Sequence, residues 1–153
     1  MVAYVPFTAG EYPTADKLNS RILQETMEWT PFSSIGSFSA GFSAATHTPM
    51  MRKVLMLGGV RWEYKGRITV ANGTIVANVN TTGFTFNATA VGGVPLYRPT
   101  FEHGWPLVGG STGFYPIRCT LSTGGLLQFG LPPGSPSTTS GILLDGCYID
   151  API

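Results

Sequence analysis

In the stretch VRWEYK, residues 60–65, large apolar and charged residues alternate one for one. Successive side chains of an extended strand point to opposite faces. Val60, Trp62 and Tyr64 therefore share one face, and Arg61, Glu63 and Lys65 the other. One face is buried and one is wet, so the sheet must stack on another layer or close on itself. The period of two holds from Val54 onward. Phe84, Phe86 and Ala88 alternate with Thr85, Asn87 and Thr89 in FTFNATA. Asn72-Gly73 between two β-rich runs predicts a hairpin. IRCTL, the turn Ser122–Gly125 and LLQFGL predict another, and GILLDGCYI closes as a final strand or pair. Roughly eight short strands separated by turns predict a mainly β protein, with an antiparallel sandwich or jelly-roll-like body.

The first thirty-one residues read differently. Pro6 and Pro13 punctuate an extended arm, and Thr14 is placed to cap a helix that has Asp16 in its first turn. ADKLNSRILQETME, residues 15–28, contains no Gly or Pro and carries an apolar stripe of Leu18, Ile22 and Met27, with Leu23 beside it. A helix this short is marginal alone and must pack on something. Residues 1–31 thus form an anchoring arm and helix, closed by Trp29-Thr30-Pro31. Residues 32–53, in which Phe32, Phe38 and Phe42 sit among Ser, Gly and Ala, form a linker or covering loop. Residues 54–153 form the body. Within it, residues 91–116 make a long Gly, Pro and aromatic loop of the kind that carries function or an interface. PPGSPSTTS, residues 132–140, is a turn.

Composition narrows the functions available. Only 11% of the 153 residues are charged, the formal net charge is +1, and 43% are hydrophobic. A soluble monomer usually has about a quarter of its residues charged. The shortfall implies a surface of Thr, Ser, Asn and Gly, surface buried between subunits, or both. Arg21, Arg52, Lys53, Arg61, Lys65, Arg67, Arg98 and Arg118 are scattered. No run of them would neutralise adjacent phosphates, so nucleic acid is not an expected partner. No apolar run approaches the ~20 residues of a membrane span. MVAYVPFTAG lacks the pattern of a secretory signal, which predicts synthesis in a cytosol.

Catalytic patterns are missing as well. His47 and His103 lie far apart, Glu102-His103 is adjacent only in sequence, and no G-x-S-x-G elbow is present. Cys119 and Cys147 sit in strand-like contexts and read as reduced, buried thiols in neighbouring strands. Without further ligands at metal spacing they make no zinc site. The expectation is a non-enzyme with no cofactor and no metal. The N-x-T matches at Asn72, Asn80 and Asn87 read as turns and strand edges, and Gly109–Gly113 lacks the lysine of a phosphate loop.

Tyr97, Phe101, Trp105, Phe114 and Tyr115 crowd into one loop region. Aromatics supply large contact area at low entropic cost, so this group can stack on sugar rings, fill an intersubunit seam, or cover the open end of the sandwich.

FTAGEYPTADKLNSRI resembles the N-terminal segment of many tailed-bacteriophage virion proteins, through Phe7, Ala9, Gly10, Thr14, Ala15, Leu18 and Asn19. WEYKGRI (62–68), the Asn-Gly turn, LQFGLP (127–132) and LLDGCYID look like the β-domain of small tail-fibre, minor tail or head-fibre proteins from phages of actinobacteria. The resemblance implies a structural virion protein and a homotrimer. It implies an arm docked on other virion proteins, with Val5, Phe7, Leu18 and Ile22 as anchoring residues. The loops at 95–115 and 132–140 are then free to touch a host-surface glycan. A head-decoration protein and a stand-alone carbohydrate-binding module are the alternatives.

Overall fold

The structure, a computed structural model, describes residues 9–10, 12, 23–44, 47–56, 59–87, 99, 102–110, 114–135 and 139–151. The elements are β1 (Leu23–Pro31), α1 (Phe32–Ile35), β2 (Gly36–Phe38), β3 (Phe42–Ala44), β4 (Met50–Met56), β5 (Gly59–Lys65), β6 (Arg67–Val70), β7 (Thr81–Phe86), β8 (His103–Gly110), β9 (Phe114–Leu121), β10 (Leu126–Gly130), β11 (Gly141–Leu143) and β12 (Cys147–Ala151). The strands form a four-stranded sheet, β1-β4-β5-β12, and an eight-stranded sheet, β2-β7-β10-β9-β8-β11-β6-β3. Every strand pairing is antiparallel.

The larger sheet curls nearly into a barrel. β2 and β3 stand at its opposite ends, yet only residues 39–41 separate them in sequence. That connection reaches roughly 14 Å when fully extended, so the two ends must face each other. Its backbone is tied to both sides, with the Ser39 N–H on the Gly83 carbonyl (3.1 Å) and the Ala71 N–H on the Gly41 carbonyl (2.8 Å).

The smaller sheet leaves the barrel at a corner. β5 becomes β6 through Gly66 alone, and β11 becomes β12 through Leu144-Asp145-Gly146. Because β12 pairs with β5 and β11 with β6, one two-stranded ribbon bends from one sheet into the other. The Gly66 N–H donates to the Asp145 carboxylate (2.9 Å), and the Leu144 N–H to the Gly66 carbonyl (2.9 Å). Gly66 has φ +90°, a conformation that favours glycine.

The core lies between the sheets and inside the curl. Phe32, Phe84, Phe86, Phe129, Ile117, Leu121 and Ile142 are at most 1% exposed. Phe32 packs at 4.8 Å from Phe84 and 5.6 Å from Phe86 between ring centroids, and at 6.2 Å edge-on to Tyr64. The alternation read in residues 60–65 holds: Trp62 and Tyr64 are buried, while Arg61, Glu63 and Lys65 lie on the outer face.

Three local expectations change. Leu23–Glu28, expected as the end of a helix, belongs to β1 and pairs with β4 from Leu23↔Met56 to Pro31↔Met50. Helix propensity is a weak prior, and this ladder satisfies the same backbone groups while burying Met27. The rest of the expected helix, with Leu18 and Ile22, lies outside the described residues, as do Val5 and Phe7. Residues 32–53, expected as a linker or covering loop, hold α1, β2, β3 and most of β4, and they send Phe32, Ile35, Phe42 and Met51 into the core. Asn72-Gly73 forms a turn, closed by Thr74 N–H to the Ala71 carbonyl (3.1 Å), but no hairpin. Gly73 has φ +78°, whereas Asn78 is the one non-glycine among the described residues with positive φ. A type I′ hairpin turn needs positive φ at both central positions and a type II′ turn at the first, and Asn72 meets neither requirement. After the turn Ile75 drops into the core, and Ala77 bridges to Leu131 in parallel. The hairpin expected at Ser122–Gly125 is present, joining β9 and β10.

Candidate functional site

A cleft of about 500 Å³ opens on the outer face of the larger sheet where β8, β9 and β10 run side by side. Register sets its floor. Pro106 pairs with Arg118 and Arg118 with Gly130, so these three form one row across three strands. Pro116, Leu131, Pro132 and Pro133 wall it, and Asn78 and Val79 form the rim. Prolines sit inside strands here because one neighbour of each has stopped pairing. The β11 pairing reaches only Val108 to Gly110 and leaves Pro106 beyond it; the β10 pairing ends at Arg118 and leaves Pro116 beyond it.

The rim is held in shape. Asn78 adopts φ +66°, and its N–H donates to the Leu131 carbonyl (3.1 Å). A non-glycine residue in this region needs local support, and the bridge between Ala77 and Leu131 supplies it. Arg118 Nη2 donates to Asn80 Oδ1. Arg118 is the only charged residue among the described residues that line the cleft. By contrast, Arg52 is paired with Glu63 (2.7 Å) and Arg61 with Asp150 (2.8 Å) on the outer face of the smaller sheet.

Of the aromatics singled out in the sequence, the structure describes the side chains of Trp105 and Tyr115. Tyr97 and Phe101 lie outside the described residues. Phe114 opens β9, and Trp105 and Tyr115 stand in β8 and β9 rather than in the loop expected over 91–116. Trp105 borders the cleft, but it pairs with buried Cys119 on the inner side of the sheet. Its ring stacks on Tyr64 of the other sheet, 5.9 Å between centroids and 16° from parallel. It is a joint between the sheets as well as a border of the cleft. Tyr115 is half-buried, with its hydroxyl 2.7 Å from that of Thr139.

An exposed apolar strip runs out of the cleft. Val108 pairs with Pro116 on one side and Leu143 on the other, so the three share the outer face, and Val108 and Leu143 are 44% and 37% exposed. The sequence hid this strip, since Val108 and Pro116 sit in what reads as a Gly/Pro loop.

The thiols are free. Cys119 is buried in β9 and Cys147 half-buried in β12, in different sheets rather than neighbouring strands. Burial pushes both thiols above their usual pKa, strongly for Cys119. Among the described residues no group of three or more His, Cys, Asp or Glu side chains could hold a metal ion, and no helix is long and apolar enough to cross a membrane.

The fold is that of a curled antiparallel β-domain with a smaller sheet packed at its corner. It is similar to the crystal structure of the head domain of phage bIL170, one of the receptor-binding domains of lactococcal phages. The likeness has a TM-score of 0.53 at 16% sequence identity and covers 83% of this chain and 98% of that one. No protein-family model matches the chain, and no curated protein matches it.

Proposed function

We propose that this chain is a structural protein of a bacteriophage virion that attaches the particle to its host, with the cleft between β8 and β10 facing a polymer of the host surface. The observation that carries the reading is the likeness to a phage receptor-binding head domain along 83% of the chain. The cleft supports it: proline rings offer flat C–H surface, and Arg118 and Asn78 supply polar groups at the edge. Ligand sites of this kind pair an apolar lining with a few placed donors. No catalytic step is assigned to it; binding is the function.

In this reading the working unit is a homotrimer on the tail, joined to other virion proteins through the N-terminal arm. The strip at Val108, Pro116 and Leu143 supports burial between subunits, because it adds exposed apolar surface to a chain already poor in charge.

The test is binding of fluorescently labelled protein to intact bacterial cells and to their purified wall polysaccharide. Saturable binding, competed by the polysaccharide and weakened by Arg118→Ala, is the expected result. Absence of binding to the cells that the parent phage infects overturns the reading.

A further inference from the structure

Arg118 is held in an unusual way for a cation. Its neighbour in the row is Gly130, and a Cβ built there would lie 3.0 Å from Asn80 Oδ1 and 3.6 and 3.7 Å from Arg118 Nε and Nη2. The guanidinium therefore lies over bare backbone; a Cβ at position 130 would touch it in ordinary contact and would crowd the Asn80 amide oxygen that holds it. Asn80 reaches it from the rim and accepts from Nη2. Its partner is thus a neutral amide oxygen, whereas Arg52 and Arg61 are matched by carboxylates. A guanidinium has five N–H donors in a fixed fork. Holding one terminal nitrogen leaves the other donors for a ligand and fixes the plane they present.

We propose that Asn80 and Gly130 are positioning residues that set Arg118 as an anion selector, so that the cleft prefers a saccharide bearing a carboxylate or a phosphate over its neutral counterpart. This rests on the reading of the cleft as the ligand site. Planar, two-point recognition of an anionic group is what a fixed guanidinium does better than a mobile one. No acidic residue lines the cleft among the described residues to compete for it.

The experiment is an NMR titration of isotope-labelled protein with three matched probes: glucose, glucuronic acid and glucose 6-phosphate. At low salt the wild-type chain should bind at least one of the acidic probes roughly tenfold more tightly than glucose. The preference should shrink as ionic strength rises. Whichever acidic probe wins identifies carboxylate or phosphate as the group read. Asn80→Ala, on an exposed residue, and Gly130→Ala should both bring the ratio of acidic to neutral affinity towards one. Rotation about the guanidinium bonds of Arg118, followed on its own side-chain nitrogen signals, should be slow in the wild type and fast in Asn80→Ala. Equal binding of all three probes, or an unchanged ratio in both variants, overturns the selector while leaving the cleft reading intact. If no probe moves any cleft signal, the cleft reading fails and the selector with it.

Discussion

The backbone N–H of Gly66 donates to the carboxylate of Asp145 at 2.9 Å, across the corner where one ribbon leaves the small sheet and enters the large one. The two residues are 79 apart in sequence. This bend and the stack of Trp105 on Tyr64 are two of the contacts that tie the larger sheet to the smaller one.

Gly66→Ala should therefore be strongly destabilising. The φ of +90° is unfavourable for alanine, and the new Cβ would run into the carbonyl of Thr48. A loss of about 2–4 kcal/mol is expected, read as a drop in thermal midpoint. Asp145→Ala removes one partly exposed bond and should cost only about 1 kcal/mol. Similar losses for the two would mean that the carboxylate, not the backbone conformation, holds the corner.

Trp105→Ala should lower stability by about 3–5 kcal/mol, because it deletes one half of the inter-sheet stack. Trp105→Phe should retain most of it. Saccharide binding should survive in the phenylalanine variant, since the cleft presents Pro106, Arg118 and Gly130 rather than the indole face. Loss of binding by Trp105→Phe at unchanged stability would return the indole to the role of sugar platform.

Lys53 is 7% exposed, on the inner face of β4, with its ammonium 4.7 Å from the centre of the Trp62 ring. Burial lowers its pKa to about 8 from 10.5. The unfolded chain then holds the proton more firmly than the folded one, so folding carries a penalty at and below about pH 8 that fades as pH climbs towards 10.5. Tyr64 and the two thiols, whose pKa values burial raises, push in the opposite direction in alkali. The clean measurement is the difference between wild type and Lys53→Met, which share those groups. Lys53→Met should be the more stable at pH 7 by on the order of 1–3 kcal/mol, with the gap closing above about pH 9. A gap that stays constant with pH would show that Lys53 is not the titrating group.

The thiols should differ in reactivity. Cys147 is half-buried and Cys119 fully buried, and burial disfavours the thiolate in both. A thiol reagent at pH 8 should modify Cys147 slowly and Cys119 only after unfolding. Rapid modification of both would mean that the sheets separate readily at the Trp105 joint.

For the proposed trimer, light scattering should give three chains of 16.3 kDa, and Val108→Glu should dissociate them without unfolding the domain. Trimers that survive Val108→Glu place the subunit contact elsewhere. Deleting residues 1–22 spares β1 and should abolish incorporation into particles, whereas a cut after Glu28 would also strip most of β1 from its sheet.

The sequence by itself determined the class of fold. The alternation at Val60 to Lys65 and at Phe84 to Phe86, the tight turn at Ser122–Gly125 and the closing strands of GILLDGCYI act through neighbours a few residues apart, and that chemistry is written locally. Tertiary structure alone decided the rest. Leu23–Pro31 joined a sheet because β4 offered it a ladder, and local helix propensity cannot outweigh a full set of paired strand bonds and a buried Met27. Phe32 and Phe42 became core because residues 32–53 bridge the two sheets. The Asn72-Gly73 turn sent its chain away from β6 because Asn72, its first central residue, lacks the positive φ that both favoured hairpin turns require there. The cleft was invisible for the same reason. Pro106, Arg118 and Gly130 come from three separate segments that only the register of β8, β9 and β10 puts in one row, and Asn80 reaches Arg118 from a fourth.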